Sequence, residues 1–205
     1  MFGVIAKEDS FFELWERIHK HLWSSEEVCI LRRDLRVPLT RQPEAKIPIR
    51  TRQLLARDMS QIFAEHPSGI IIGVLRLEIP QCYVGVTRDD EICYLQWLIS
   101  PENRKSLQSV RSSDTYGFDD DSVVLEFAYT FKRFRGLGVM GAALADIATQ
   151  DKRAVWAWTY VPRSNVASLR GCRNAGFLPY KTSFNRWRCG LRLHSIDVTD
   201  PQIAT

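Results

Sequence analysis

The chain is short of histidine, of paired cysteine, of long apolar runs and of charge of one sign, and each shortage closes off a class of function. Four histidines in 205 residues include His19 and His21. Their alternate spacing puts them on different faces of a helix, and no HExxH or similar ligand pattern follows, so no metal site is expected. The five cysteines, at 29, 82, 93, 172 and 189, form no CxxC pair. Odd in number and far apart, they indicate neither a disulfide framework nor a zinc site, and reduced thiols in a cytoplasmic protein are the simplest expectation. No run approaches the roughly 18 apolar residues of a membrane span. The opening MFGVIAKEDSFFELWERIHK carries acids among its first ten residues and lacks an apolar core behind a basic start, so no secretory signal and no membrane partner are expected. Lysine and arginine number 28 against 24 acids, a net charge of +4. That excess suits an anionic ligand but is too small to indicate a nucleic-acid partner.

What is present is an ordinary globular composition, 45% hydrophobic and 25% charged, with material for one buried core. Ser10 to Trp23 has Phe11, Leu14, Trp15, Ile18 and Leu22 at helical spacing behind a serine that can cap them. Val28 to Leu31 reads as a short strand, and Pro38, Pro43 and Pro48 punctuate an irregular arm. Leu54 to Glu65 carries a helical stripe at Leu55, Met59, Ile62 and Phe63. Gly69 to Ile79 fits either a strand or a buried helix, and both readings stay open. Tyr83 to Val86 and Glu91 to Ile99 flank the turn signal Asp89-Asp90 and predict an antiparallel hairpin. Asn103 to Tyr116 is polar and irregular, Asp119 to Asp121 closes that loop, and Ser122 to Phe131 is an apolar strand broken by one charge, Glu126.

Lys132 to Ile147, KRFRGLGVMGAALADI, takes a strand end through a basic, glycine-containing turn directly into a small-residue helix. Helix N-termini carry unpaired N–H groups and the positive dipole end, and glycine lets a phosphate approach them. Arg133 and Arg135 add charge at the rim. The GK[ST] ending of a P-loop is missing, and so is the early glycine of a dinucleotide fingerprint.

Arg133-Phe134-Arg135-Gly136-Leu137-Gly138 resembles the [Q/R]xxGx[G/A] motif of the GCN5-related N-acetyltransferase superfamily. A second piece agrees: after a strand-like Ala154 to Val161, the run from Asn165 through Ser168 and Cys172 to Gly176-Phe177 is similar to that family's asparagine-serine helix and Gly-Phe corner. The resemblance covers about Ile47 to Arg192. It implies 47–192 as the acyltransferase domain; residues 1–46 match nothing in that family and read from their own pattern as a helix and arm belonging to the same globule, with 193–205 as a tail. The implied fold is α/β (α+β), a mixed, mostly antiparallel sheet flanked by helices and splayed between its fourth and fifth strands.

The resemblance further implies acetyl-coenzyme A, or another acyl-coenzyme A, as co-substrate in that opening. Backbone N–H groups from Arg135 through Gly136, Leu137, Gly138 and Val139 would take the pyrophosphate, and main-chain groups of Ala128 and Thr130 would pair with the pantetheine arm. Asn165 would contact the ligand with help from Ser168, unless it only caps a helix. Acyl transfer needs a deprotonated amine, and Glu126 is either a candidate general base or a structural glutamate paired with an arginine. Many relatives place a tyrosine proton donor where this chain has Cys172, a weak donor. Tyr129 and Tyr160 are alternatives, and solvent alone can protonate the leaving thiolate. The implied activity is transfer of an acyl group, acetyl above all, to the primary amine of a small metabolite, by direct attack in a ternary complex with no acyl-enzyme on Cys172. A protein N-acetyltransferase and a non-catalytic coenzyme A module are the rival readings. For the acceptor, Trp97, Trp156, Trp158 and Trp187 can line a pocket or pack a core. Asp119 to Asp121 would draw a cationic amine, whereas Arg186, Arg188 and Arg192 would draw an anion. A monomer and a homodimer are equally consistent with the sequence.

Overall fold

A computed structural model describes residues 23–65, 80–103, 119–188 and 191–198. Eight strands among these residues form one sheet: β1 (Trp23–Asp34), β2 (Ile49–Gln53), β3 (Cys82–Thr87), β4 (Ile92–Ile99), β5 (Ser122–Thr130), β6 (Trp156–Pro162), β7 (Leu178–Arg188) and β8 (Leu191–Val198). Three helices accompany them, α1 (Met59–Ala64), α2 (Val139–Ile147) and α3 (Val166–Asn174). The order across the sheet is β2-β3-β4-β5-β6-β1-β7-β8. Every neighbouring pair is antiparallel except β5 and β6, which run parallel. This is the mixed, mostly antiparallel sheet with flanking helices that the sequence implied.

The hairpin β3–β4 forms about Asp89-Asp90 as expected, and Asp90 takes a left-handed φ of 58° in the turn. All eight residues of β4 are buried, so both its faces are covered and its sequence ICYLQWLI shows no alternation. β6 behaves otherwise: Ala157, Thr159 and Val161 are buried, while Trp156, Trp158 and Tyr160 are only half-buried. Among the described residues, one face of this part of the sheet packs against helices and the other does not.

β1 is the main departure from expectation. The short strand at Val28 to Leu31 extends over twelve residues because it lies inside the sheet, pairing with β6 through Cys29↔Val161 and with β7 through Cys29↔Thr182. Trp23, expected at the end of a helix, opens this strand, and the rest of that helix, residues 10–22, lies outside the described residues. So do Gly69 to Ile79 and residues 104–116. At the other end, β8 continues to Val198, past the boundary at 192 where a tail was expected.

The helix expected over Leu54 to Glu65 begins later, at Met59, after a 3-10 turn over Ala56–Asp58. Asp58 explains the delay. Its Oδ2 accepts the Leu55 N–H at 2.7 Å, and Arg52 grips both carboxylate oxygens at 2.6 and 2.8 Å, which fixes the turn ahead of the helix.

α2 and α3 pack together on one face of the sheet. Arg33 of β1, 6% exposed, reaches them there: its Nη1 donates to the carbonyls of Ala145 and Ala175, each at 3.2 Å. Both carbonyls stand where a helix runs out of internal partners, so one guanidinium closes two helix C-termini and meets their negative dipole ends. Burial lowers the pKa of this guanidinium from its ordinary value.

Candidate active site

β5 pairs with β6 only from Ser122↔Trp156 to Leu125↔Thr159. Beyond that point the two strands part. The cause lies in β5, where one extra residue sits between the pairs Leu95↔Tyr129 and Trp97↔Glu126. Phe127 carries this bulge at a left-handed φ of 56°, an unusual value for a bulky side chain, and its ring meets Trp97 edge to face at 5.9 Å. The bulge bends the strand and leaves the β6-facing edge of Phe127 to Thr130 without a strand partner among the described residues.

The opening leads into a cleft of about 670 Å³. Ala128, Tyr129 and Thr130 of β5 form one wall, Arg135 to Gly141 another, and Asn165, Ser168 and Arg170 of α3 a third. Between β5 and α2, a 3-10 turn over Lys132–Phe134 uses the Arg135 N–H on the Lys132 carbonyl at 3.3 Å. Four residues were expected alongside Arg135 to present their N–H groups, and three of them, Gly136, Leu137 and Gly138, donate to no backbone acceptor outside the helices among the described residues. Gly136 and Gly138 both take φ of 76°, and a Cβ on Gly136 would meet nothing within 4 Å, so its backbone faces open space. Val139 opens α2 directly after this turn, with Gly138 as its N-cap.

The expected residues separate in the structure. Arg135 lines the cleft, with its Nε donating to the Thr130 carbonyl at 3.1 Å, so that carbonyl of the expected pantetheine edge already has a donor. Arg133 instead turns to the far side of the loop, where it pairs with Glu91 and borders a separate hollow with Gln61 and Glu65. Asn165 caps α3, its Oδ1 accepting the Ser168 N–H at 3.1 Å, so the capping role is met, and both residues also line the cleft. Glu126 is 4% exposed, opposite Trp97 and one residue before the bulge, at the inner end of the opening rather than on its walls. Tyr129 is on the wall, packed edge to face on Phe131 at 5.4 Å.

Cys172 does not line the cleft. It is fully buried on α3, and burial pushes its thiol up to about 12. Its place is in the core, where Tyr94 is likewise buried and donates its hydroxyl to Gln96 Oε1 at 2.6 Å.

Glu44, Lys46 and Arg170 line the cleft as well and were not expected there. Arg170 follows Ser168 by two residues on α3. Glu44 and Lys46 arrive on the proline-punctuated arm, which crosses the loop: the Lys46 N–H donates to the Leu137 carbonyl at 2.8 Å, and a Cβ on Gly138 would stand 3.1 Å from the Glu44 carbonyl. The spacing of Pro43 and Pro48 shows that this stretch is extended, but only the fold shows what it lies across. The lining thus holds three cations, Lys46, Arg135 and Arg170, and one acid, Glu44, among the described residues. A polyanion with an extended polar arm fits this donor set.

Solved structures carry the same arrangement of strands and helices. A GCN5-related N-acetyltransferase from Sphaerobacter thermophilus superposes with a TM-score of 0.56 at 14% identity, over 94% of this chain and 58% of its own. The fold is that of the GCN5-related N-acetyltransferases. An acetyltransferase of this family from Colwellia psychrerythraea shares it with a TM-score of 0.52 at 8% identity, over 86% of this chain and 57% of its own. So does the GCN5-related glucosamine N-acetyltransferase region of a fungal multi-domain β-N-acetylglucosaminidase, with a TM-score of 0.54 at 13% identity, over 90% of this chain and 23% of that one. The chain therefore spans less than two thirds of the length of each of these three acetyltransferases. No protein-family model matches the sequence, and no curated protein does. In this acetyltransferase fold the splay lies between the fourth and fifth strands counted across the sheet from β2, as the sequence implied, although β1 makes them the fifth and sixth along the chain.

Proposed function

We propose that the chain is an acyl-coenzyme A dependent N-acyltransferase that uses acetyl-coenzyme A and a small primary amine. The observation that carries this reading is the cleft itself: a bulge parts β5 from β6, and the Gly136–Gly138 turn at the start of α2 faces the space so opened. The pyrophosphate would rest on the N–H groups of Gly136, Leu137 and Gly138 and at the N-terminus of α2, with Lys46 and Arg170 supplying charge. The acyl arm would run along Ala128 to Thr130 toward the bulge.

In the transfer step the amine nitrogen attacks the thioester carbonyl, a C–N bond forms and the C–S bond breaks. Glu126 takes the amine proton, directly or through water, and a backbone N–H of β5 near the bulge steadies the oxyanion. The departing thiolate is protonated by Tyr129 or by solvent, since Cys172 is closed off. The ordinary location of such an enzyme is the cytoplasm, and three buried free cysteines, at 82, 93 and 172, agree with a reducing compartment. No helix among the described residues is long and apolar enough to cross a membrane.

The absence of a tyrosine at position 172 favours one second reading, a coenzyme A binding module without turnover. A thermal shift with acetyl-coenzyme A tests the common ground, because a ligand that binds only the folded protein raises its melting temperature. Wild-type protein is expected to shift and Gly136→Ala, whose methyl group enters open space over the loop, to shift much less. No shift in the wild type overturns both readings. A shift without release of free thiol in the presence of a panel of primary amines, peptides included, leaves the binding module, and thiol release with peptides alone would instead mark a protein N-acetyltransferase.

A further inference from the structure

The face of the sheet turned away from α2 and α3 holds a second concentration of chemistry. Arg33 points to the helices, so its neighbour Arg32 points to the opposite face, together with Trp156, Trp158 and Tyr160 of β6. Glu126 is on that face too, because the parallel register sets Val124 beside Trp158 and Glu126 lies two residues further along.

Arg32 stands on β1 between two aromatic strands. Its guanidinium carbon is 4.6 Å from the Trp156 ring on one side, 4.2 Å from the Tyr180 ring on the other, and 5.8 Å from Trp158. Lys181 lies over the same Tyr180 ring at 5.3 Å. Trp158 is fixed in turn, edge to face with Tyr180 at 5.1 Å and donating its Nε1–H to Ser122 Oγ at 3.3 Å. Stacking of this kind orients a guanidinium but uses none of its N–H donors. Arg32 and Lys181 donate no hydrogen bond and form no ion pair among the described residues. The nearby acid, Asp34, is gripped through both oxygens by Arg36 at 2.9 and 2.7 Å. A half-buried arginine stacked between rings from two strands, interacting with Asp34 only through its charge and donating no hydrogen bond among the described residues, has the planar fork that a planar oxyanion needs.

We propose that this face recognises the acceptor, and that the acceptor is an amine carrying a carboxylate, which docks on the Arg32 fork with Lys181 beside it. The proposal rests on the acyltransferase reading only for the amine; the carboxylate site stands on its own. Arg32 and Glu126 are two strands apart and about two residues out of line, and β5 and β6 part just before Glu126, so their Cα atoms are separated by at least roughly 12 Å. The amine and the carboxylate are therefore several bonds apart in the acceptor, which excludes α-amino acids and fits an ω-amino acid or a similarly extended molecule.

Tryptophan fluorescence reports on Trp156 and Trp158 without requiring turnover. Wild-type protein titrated with 6-aminohexanoate is expected to give a saturable change, with 6-aminohexanamide and glycine at least tenfold weaker. In Arg32→Met the preference for the carboxylate over the amide falls to about one, while the thermal shift with acetyl-coenzyme A is retained. Arg32→Lys keeps the charge and the stacking but loses the fork, and it is expected to fall in between; it also serves should the methionine variant not fold. The proposal is overturned by no saturable change with 6-aminohexanoate, by equal binding of acid and amide, by equal binding of glycine, or by a preference that survives in Arg32→Met. Loss of the acetyl-coenzyme A shift in the wild type would overturn the acyltransferase reading and leave the carboxylate titration to be judged by these same outcomes.

Discussion

The N–H of Lys46 donates to the carbonyl of Leu137 at 2.8 Å and so ties the irregular arm to the turn that opens α2. A residue from the stretch that precedes the acyltransferase resemblance thereby holds the centre of the motif that carries it. Lys46→Pro removes this donor and leaves the Leu137 carbonyl without it. The expected outcome is a loss of about 1 kcal/mol in stability by urea unfolding, with a weaker thermal shift from acetyl-coenzyme A. Lys46→Ala, which keeps the N–H and removes only the ammonium, should weaken the ligand shift without the stability loss.

Gly136 and Gly138 share a backbone conformation but not a neighbourhood. Alanine at either position has to hold a left-handed φ at about 1–2 kcal/mol. At 138 the new methyl also meets the Glu44 carbonyl 3.1 Å away, and at 136 it meets nothing. Gly138→Ala should therefore lower the melting temperature more than Gly136→Ala, whereas Gly136→Ala should impair acetyl-coenzyme A binding at least as strongly. Equal ligand shifts in Gly136→Ala and wild type would show that the open space above this residue is not where the anion sits.

Arg33→Met keeps a long side chain in place but leaves the Ala145 and Ala175 carbonyls without their donor at the ends of α2 and α3. Two buried acceptors lose a charged partner, and a destabilisation of about 2–4 kcal/mol is expected. Urea unfolding of the variant checks this; a loss below about 0.5 kcal/mol, the level of an ordinary surface change, would show that the guanidinium does not close the helix ends.

Acid stability should depend on Asp58. Burial alone raises its pKa, but the hydrogen bonds from Arg52 and from the Leu55 N–H outweigh that and hold the carboxyl below its ordinary value of 3.8. A depressed folded pKa contributes stability above the unfolded value, and that stability is lost as the pH falls through the folded value. Asp58→Asn should lower the melting temperature near neutrality and flatten its decline below about pH 4. A variant whose melting temperature falls in parallel with wild type throughout would remove Asp58 from the account.

Cys172→Ala should leave turnover within about twofold of wild type with an unaltered pH profile, because burial already keeps the thiol protonated far above neutral pH. A tenfold drop in turnover at unchanged acetyl-coenzyme A affinity would restore the thiol to the mechanism.

The parts of this molecule that were legible in the sequence are those whose cause is local. Asp89-Asp90 between two aromatic runs announces a hairpin, and the glycines at 136 and 138 announce a turn that only they adopt easily. Cys172 read as a weak donor because its surroundings, set by α3 and the sheet behind it, are not local. Arg133 reads as a rim cation until Glu91, far off in sequence, claims it. β1 shows the limit most clearly: Val28 to Leu31 looks like a short strand because nothing nearby extends it, and its length comes from β6 and β7 on either side. The tryptophans at 156 and 158 were visible as pocket or core candidates, but not that an arginine stands between them and Tyr180.

The position of β1 also dictates an order of events. Cys29 cannot complete its pairs until Val161 and Thr182 have been synthesised, so the first strand described here is among the last to find its place. While a ribosome is still making β6 and β7, β1 is a long, unpaired segment with an apolar centre at Val28 to Leu31, and the loop-closure entropy for its docking falls due late. Its growth from the ribosome is thus a window in which trigger-type chaperones, or another copy's half-built sheet, can reach it first.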